Sequence, residues 1–240
     1  MTTSEVGTGQ GSVISPLLAN IYLFYVLDLF AERWRRREAT GDVIIVRYAD
    51  DFIVGFEHEA DARRFLDLLR ERMGKFALAL HPEKTWLIEF GRHAAANRRQ
   101  RGLGKPETFN FLGFTFICGT SRRGRFLIKR KSRRDRMRAK LQAVKQELRR
   151  RMHQPIREQG KWLKQVVTGY FRYHAVPTNS HALVQFRDRV ATRWRQLLSR
   201  RSQKGRQTWT WTAMLVDYWL PRPRILHPWP NQRFAVTHPR

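Results

Sequence analysis

The sequence contains one cysteine, Cys118, among 240 residues. A single cysteine excludes an intramolecular disulfide framework and a cysteine-rich zinc site. Long apolar runs are lacking too: the most apolar segment, residues 17–30, is interrupted by Asn20 and Asp28 and is shorter than the roughly 20 residues of a membrane span. No basic and then apolar signal segment is present at the start. We therefore expect a cytoplasmic protein with no membrane partner.

Acidic residues are scarce after residue 90. Residues 1–90 hold 11 Lys and Arg against 14 Asp and Glu, whereas residues 91–240 hold 36 against 6, so the net charges are −3 and +30. The total of +27 is far beyond what solubility needs and makes a polyanion the expected partner. Nucleic acid is the leading candidate.

The first helix is predicted from a proline signal. Ser15 followed by Pro16 is typical of an N-cap and the first helical position, and the helix is expected to run to about Arg37. Its apolar residues lie nearly all round the helix until Arg33, which favours a mostly buried position.

A β-hairpin is predicted next, because residues 43–48 and 52–56 are rich in β-branched and aromatic side chains. Residues 49–51 separate the two runs. Spacing and turn residues predict the remaining elements: an amphipathic helix over 58–73 that ends at Gly74, a strand over 85–90, a loop over 92–106, strands over 109–118 and 125–130, and helices over 133–152, 160–174, 181–201 and 208–219.

Two adjacent carboxylates, Asp50 and Asp51, stand at the tip of this hairpin. Like charges held close raise each other's pKa and destabilise a fold unless a cation lies beside them. A divalent metal pair is the arrangement that polymerases use for phosphoryl transfer. The alternative is a solvated turn, since Asp is common in turns.

Several segments in order resemble group II intron reverse transcriptases, which also act as maturases. The segments that carry the resemblance are the glycine-rich run 7–23, Tyr48-Ala49-Asp50-Asp51, His81-Pro82-Glu83-Lys84-Thr85, Phe111-Leu112-Gly113-Phe114, Gly169-Tyr170-Phe171-Arg172-Tyr173, Trp194-Arg195 and residues 223–229. The resemblance covers almost the whole chain. Retron and viral reverse transcriptases share the hairpin but not the later segments.

The resemblance implies a set of site residues. Asp50 would be a Mg²⁺ ligand, and Asp51 its supporting carboxylate or a second ligand, in a two-metal site. The nucleotide and the template would be contacted by Tyr48, Ala49, Gln10, Gly11 and Lys84. The primer grip would be formed by Phe111, Leu112, Gly113 and Phe114. The implied partners are dNTP substrates, an RNA template and a DNA primer.

The resemblance also implies an α+β fold in two domains. Residues 1–130 would form a partial reverse-transcriptase palm, an antiparallel sheet with packing helices, and residues 131–240 an all-helical, basic thumb and maturase domain. The family has a further catalytic aspartate well before Gln10, but residues 1–9 contain no Asp. We therefore expect an N-terminally truncated product with an incomplete Mg²⁺ site, which exposes a sheet edge and does not polymerise alone unless a complementing N-terminal fragment is supplied.

The basic part is densest between residues 121 and 157, with 16 Lys and Arg and 2 acids. The residues expected to bind RNA are Arg122, Arg123, Arg125, Lys129, Arg130, Lys131, Arg133 and Arg134. A solvated helix face is the alternative, although solvated faces normally mix both charge signs. Most of the aromatic side chains in this part lie at helical spacing and are expected in the core. Those available for stacking on bases are Trp162, Tyr170, Phe171, Tyr173, Trp194, Trp209, Trp211, Tyr218 and Trp219.

Three functions remain open at this point. The first is an RNA-directed DNA polymerase and maturase of a mobile group II intron, which binds the intron RNA as a ribonucleoprotein and assists its splicing. The second is a non-catalytic RNA-binding maturase or splicing cofactor. The third is a non-functional relic.

Overall fold

The computed structural model describes residues 14–201 and 209–230, and for residues 209 and 210 only the backbone. The chain divides into two compact units, residues 1–88 and residues 89–240. Helices and two small antiparallel sheets confirm the α+β class. Within the described ranges, no helix combines the length and the apolarity that crossing a bilayer requires.

The first unit opens with a helical segment in three parts: α1 (Ser15–Leu23), a π-helical turn (Phe24–Asp28) and α2 (Leu29–Arg37). The prediction that Ser15 is the N-cap is wrong, because Ile14 takes that position and Ser15 is the first helical residue. The prediction of a mostly buried helix is wrong for α1, which has no buried residue; Leu17 is 60% exposed. Burial begins only at Val26, inside the π-helical turn.

Strands β1 (Val43–Tyr48) and β2 (Asp51–Phe56) form the expected hairpin, and α3 (Glu59–Lys75) packs on its inner face. Aromatic side chains from both layers meet in this core: the Trp34 and Phe65 rings lie 5.1 Å apart, and those of Phe56 and Phe65 lie 5.3 Å apart. Gly74 does not end α3 as predicted, since Lys75 is still helical and Phe76 occupies the C-cap.

Buried Asp61, in the first turn of α3, holds the chain that leads into β1. Its Oδ2 accepts hydrogen bonds from the Thr40 amide (2.7 Å), the Thr40 hydroxyl (3.0 Å) and the Gly41 amide (3.3 Å). Arg64 donates to Oδ1 at 2.7 Å. The Arg64 hydrogen bond is the main reason that the pKa of Asp61 falls to about 2, and the Thr40 amide adds to it against the opposing effect of burial.

After α3 the structure departs from the sequence prediction. A short 3-10 helix covers Pro82–Lys84, and residues 85–90 form no strand. Those residues pair with no neighbouring strand in the described part of the chain, so the apolar run at residues 86–88 has no ladder to join. The expected loop over 92–106 contains helix α4 (Ala94–Gln100).

The second unit contains a three-stranded sheet in the order β3 (Thr108–Phe111), β4 (Phe114–Thr120) and β5 (Phe126–Ser132). The single strand predicted over 109–118 is therefore two strands. They are separated by a two-residue turn in which Leu112 (φ 46°) and Gly113 (φ 75°) are both left-handed. Two positive φ values are what a tight type I′ hairpin turn requires.

Four helices follow, close to the predicted ranges: α5 (Arg134–Arg150), α6 (Ile156–His174), α7 (Ser180–Ser199) and α8 (Trp209–Trp219). They share one core, in which four apolar residues at helical spacing along α7 are buried: Leu183, Val190, Trp194 and Leu197. Buried Gln159 links α7 to the end of α5 through this core. Its Oε1 accepts from Trp194 Nε1 (2.9 Å), and its Nε2 donates to the Arg151 carbonyl (2.9 Å) near the end of α5.

The compact units do not follow the expected division at residue 130, because the sheet β3–β5 belongs to the same unit as the helices. Side chains join this sheet to the helices. Asn179 Oδ1 accepts from the Ser132 amide (2.9 Å), and Thr178 Oγ1 accepts from the Arg130 amide (2.9 Å). A compact unit need not coincide with a family domain, so the assignment of palm and maturase domains stays a prediction.

Candidate active-site hairpin and basic surface

The carboxylate pair lies at the tip of the β1–β2 hairpin, where Ala49 and Asp50 form a two-residue turn. Asp51 is the first residue of β2 and pairs across the hairpin with Tyr48, so the two aspartates are not both in the turn. Ala49 has φ 55°, a conformation that costs a non-glycine residue about 1 kcal/mol. A strained turn of this kind persists only where its surroundings hold it.

Arg47 is the side chain that holds this turn. Its Nη1 donates to the Ala49 carbonyl at 2.9 Å and to Asn20 Oδ1 at 2.9 Å. Its Nε and Nη2 donate to the two oxygens of Asp28 at 2.7 and 2.6 Å, a bidentate pair in which the Arg47 side chain is 16% exposed. The hydrogen bond with Asp28 raises the pKa of Arg47 further. The helical segment and the hairpin tip are thus joined through one guanidinium group.

The π-helical turn places Asp28 for this contact. An extra residue in the turn changes which side chains face the hairpin, and π-helical turns are common at functional sites. Arg72 of α3 donates to the carbonyls of Tyr25 and Val26 at 3.1 and 3.3 Å, which satisfies backbone groups of the irregular turn. Sequence reasoning missed Asp28, Arg47 and Arg72, although a charged residue inside an apolar helix is a signal for Asp28.

Asp50 and Asp51 are both exposed, as are Tyr48 and Ala49. Neither carboxylate makes an ion pair or a hydrogen bond with another side chain in the described ranges. Residues 14–201 and 209–230 also contain no group of three or more His, Cys, Asp or Glu side chains able to hold a metal. Two carboxylates fall short of a two-metal ligand set. No catalytic step through Mg²⁺ is derived from this arrangement.

Of the remaining predicted nucleotide contacts, Lys84 lies among the described residues. Lys84 is exposed and lies in the 3-10 helix Pro82–Lys84, with no hydrogen bond to the hairpin tip. Gln10 and Gly11 lie outside the described residues. Their proposed role stays a prediction.

The predicted primer grip, Phe111 to Phe114, is the β3–β4 turn of the second unit. The Tyr173 hydroxyl of α6 donates to the Leu112 carbonyl at 2.8 Å, and the Tyr173 ring stacks on Phe114 with centroids 5.6 Å apart. A β-carbon on Gly113 would lie 3.6 Å from Tyr173. Helix α6 therefore fixes the position of this turn.

The predicted RNA-binding residues follow the β4–β5 turn, strand β5 and the start of α5. Most are solvent-exposed; the exposed members are Arg122, Arg123, Arg125, Lys131 and Arg134. Lys129, Arg130 and Arg133 are partly buried, and Arg133 forms an ion pair with Asp135 at 2.6 Å. The exposed members form a band of positive charge on neighbouring elements of one unit.

The aromatic side chains divide as the helical spacing predicts. Tyr170, Phe171 and Trp194 are buried in the core, and Trp162 and Trp219 are partly buried against it. Three of the predicted set are exposed to solvent: Tyr173, Trp211 and Tyr218. The side chain of Trp209 lies outside the described residues.

Comparison with known families adds one finding. Residues 2–116 match the model of the reverse transcriptase (RNA-dependent DNA polymerase) family. The match supports the assignment of this part of the chain to the reverse transcriptase family; it includes the carboxylate hairpin and the β3–β4 turn and ends before the basic band. A comparison with curated proteins found no match.

Proposed function

We propose that this protein works as an RNA-directed DNA polymerase of the group II intron type, with its second unit as the maturase that binds the intron RNA. One observation carries the proposal: a single chain joins a reverse-transcriptase hairpin to a helical unit with a strongly basic surface. The partners would be the intron RNA, an RNA template with a DNA primer, and dNTPs. They would meet in a cytoplasmic ribonucleoprotein.

Among the activities proposed, RNA binding is the one that the exposed cations of the described residues support most directly. Five exposed cations of the basic band can each neutralise a phosphate and release a counterion. If all five do so, the logarithm of the association constant should fall with the logarithm of salt concentration with a slope of about −4. A protein held by shape and apolar contact alone would show a much smaller slope.

A non-catalytic maturase is the second candidate, and the carboxylate count favours it. The described residues bring only Asp50 and Asp51 together, and a two-metal site needs further acidic ligands. Primer extension would therefore require acidic ligands besides Asp50 and Asp51.

The experiment measures binding of the purified chain to a group II intron RNA across salt concentrations. The variant Arg122→Gln/Arg123→Gln/Arg125→Gln should weaken binding and make the slope shallower by about 2 to 3. Unchanged affinity and slope in this triple variant would refute the proposed RNA surface.

A matched control removes the same charge from the first unit, through Arg37→Gln/Arg63→Gln/Arg70→Gln, and should leave RNA binding near the wild-type value. Primer extension with dNTPs and Mg²⁺ separates the two candidates. Extension that is lost in Asp50→Asn supports the polymerase. RNA binding and splicing assistance without extension, both unchanged in Asp50→Asn, support the non-catalytic maturase.

A further inference from the structure

A groove of about 510 Å³ within the second unit is lined by residues of α5 and α6. This volume lies in the range of small-ligand sites. One wall carries Arg136 and Lys140 of α5. The other carries Trp162, Gln165, Gly169 and Tyr173 of α6. Spacings of three, four and seven residues place each set on one helix face.

The two cations in this groove are available to a ligand. Arg136 and Lys140 are exposed and make no ion pair within the described part of the chain. The cap residues of α5 do: Arg133 pairs with Asp135 at 2.6 Å, and Arg151 pairs with Glu147 at 2.7 Å. Two cations one helical turn apart can both donate hydrogen bonds to the oxygens of one phosphodiester.

Two aromatic rings of the groove, those of Trp162 and Tyr173, are held in place before any ligand arrives. Tyr173 is fixed at its hydroxyl by the Leu112 carbonyl and on its ring by Phe114. Arg151 lies over the Trp162 ring, 5.1 Å from its centroid. Rings that are already ordered lose little conformational entropy when a base stacks on them.

Gly169 has no side chain, so the groove has free space beside it. A β-carbon added there would meet no atom within 4 Å. Glycine inside a helix costs about 1 kcal/mol relative to alanine, and at Gly169 no contact within the described residues accounts for that cost. Gly160 on the same helix is different, because a β-carbon there would lie 2.4 Å from Trp219. The space at Gly169 is thus free for an external group.

We propose that this groove binds one unpaired nucleotide of the RNA, an inference that rests on the proposed RNA-binding function. The base stacks against the aromatic wall, Gln165 hydrogen-bonds to its edge, and Arg136 and Lys140 hold the adjacent phosphate. A base within a helix is stacked on both faces, whereas an unpaired base can be splayed out and inserted. The basic band holds the RNA backbone, and the groove selects single-stranded positions.

The test compares the full chain with Gly169→Leu by fluorescence anisotropy, on a 12-nucleotide single-stranded RNA and on a blunt 12-base-pair RNA duplex. A β-carbon at residue 169 meets no atom within 4 Å, so leucine can extend into the groove, and it is a good helix former. We expect about 10-fold weaker binding of the single strand, within the range for one stacked base, and unchanged duplex binding. Gly74→Leu, at a helical glycine with equal space in the first unit, is the control and should change neither.

Each outcome decides between the proposals. Equal loss on single strand and duplex, or no loss on either, overturns the groove while the RNA-binding function stands. Failure of the wild-type chain to bind any RNA overturns both. Competition by poly-glutamate as effective as that by single-stranded RNA overturns nucleotide selectivity.

If Gly169→Leu does not fold, a measurement on the wild-type chain still tests whether the groove binds a nucleotide. Ultraviolet crosslinking to a single-stranded RNA that carries 4-thiouridine should label peptides containing Trp162 or Tyr173. Labels confined to other peptides would overturn the proposal.

Discussion

Breaking the Arg47–Asp28 pair should loosen the hairpin tip. The variant Arg47→Met keeps an apolar stem but removes the donors to Asp28, Asn20 and the Ala49 carbonyl. The strained turn at Ala49 then loses the side chain that holds it. A two-stranded sheet is marginally stable by itself, so the loss should appear as local opening before global unfolding.

The size of the coupling energy between Arg47 and Asp28 follows from the burial of their side chains. Its side chains are 16% and 29% exposed, and hydrogen bonds to charged groups contribute about 1.5–3 kcal/mol when they are shielded from water. We expect a coupling energy near 2 kcal/mol, or roughly a 30-fold drop in amide protection over residues 43–56. Hydrogen exchange with mass spectrometry measures it in a double-mutant cycle of Arg47→Met and Asp28→Asn.

The exposed pair Arg63–Glu59 is the matched control. Its N···O distance is also 2.6 Å, but its side chains are 65% and 66% exposed. Pairs of this kind contribute about 0.3–0.5 kcal/mol. A coupling energy for Arg47–Asp28 no larger than that of the cycle Arg63→Met with Glu59→Gln would show that the guanidinium does not hold the hairpin.

Two further predictions concern the helical unit. Gly160→Ala should destabilise it by about 1–2 kcal/mol in urea unfolding, because the new methyl group overlaps Trp219 and helix propensity offsets only part of the overpacking; a stabilised Gly160→Ala would contradict the α6–α8 packing. Burial lowers the pKa of His174 from 6.5 to about 4, so the unfolded chain takes up a proton that the folded chain does not. Stability should therefore fall as pH drops from about 6.5 towards 4, by roughly 0.5–1 kcal/mol per pH unit after allowance for partial solvent access, and His174→Gln should remove that component of the slope. Equal slopes for the two proteins across this window would show that His174 is not the group responsible.

Local patterns were sufficient for much of the fold. The β-branched runs around Tyr48 and Asp51 predicted the hairpin, because pairing of adjacent strands needs only a short turn. The helices of the second unit were also predicted closely, since apolar residues such as Leu183, Val190 and Trp194 recur at helical spacing and bury in one core. Both features depend on residues that are near one another in sequence.

Predictions that depended on distant partners failed. An apolar helix was expected to be buried, but α1 has no buried residue, and its contacts with the rest of the unit include Tyr22 with Phe76 and Asn20 with Arg47. Residues 85–90 were expected to form a strand, but a strand needs a neighbour. The pairing of Asp28 with Arg47 was not predicted either, because 19 residues separate them and a π-helical turn decides which way Asp28 faces.

The sequence by itself determined the α+β class, the acidic hairpin, the charge asymmetry and the likeness to reverse transcriptases. These properties are local or additive, so composition, periodicity and segment order express them directly. Only the tertiary structure decided that Arg47 holds the hairpin tip, that Tyr173 fixes the turn at Leu112, and that α5 and α6 enclose a groove beside Gly169. Those features arise from side chains far apart in the chain, whose meeting is set by how the helices and strands pack.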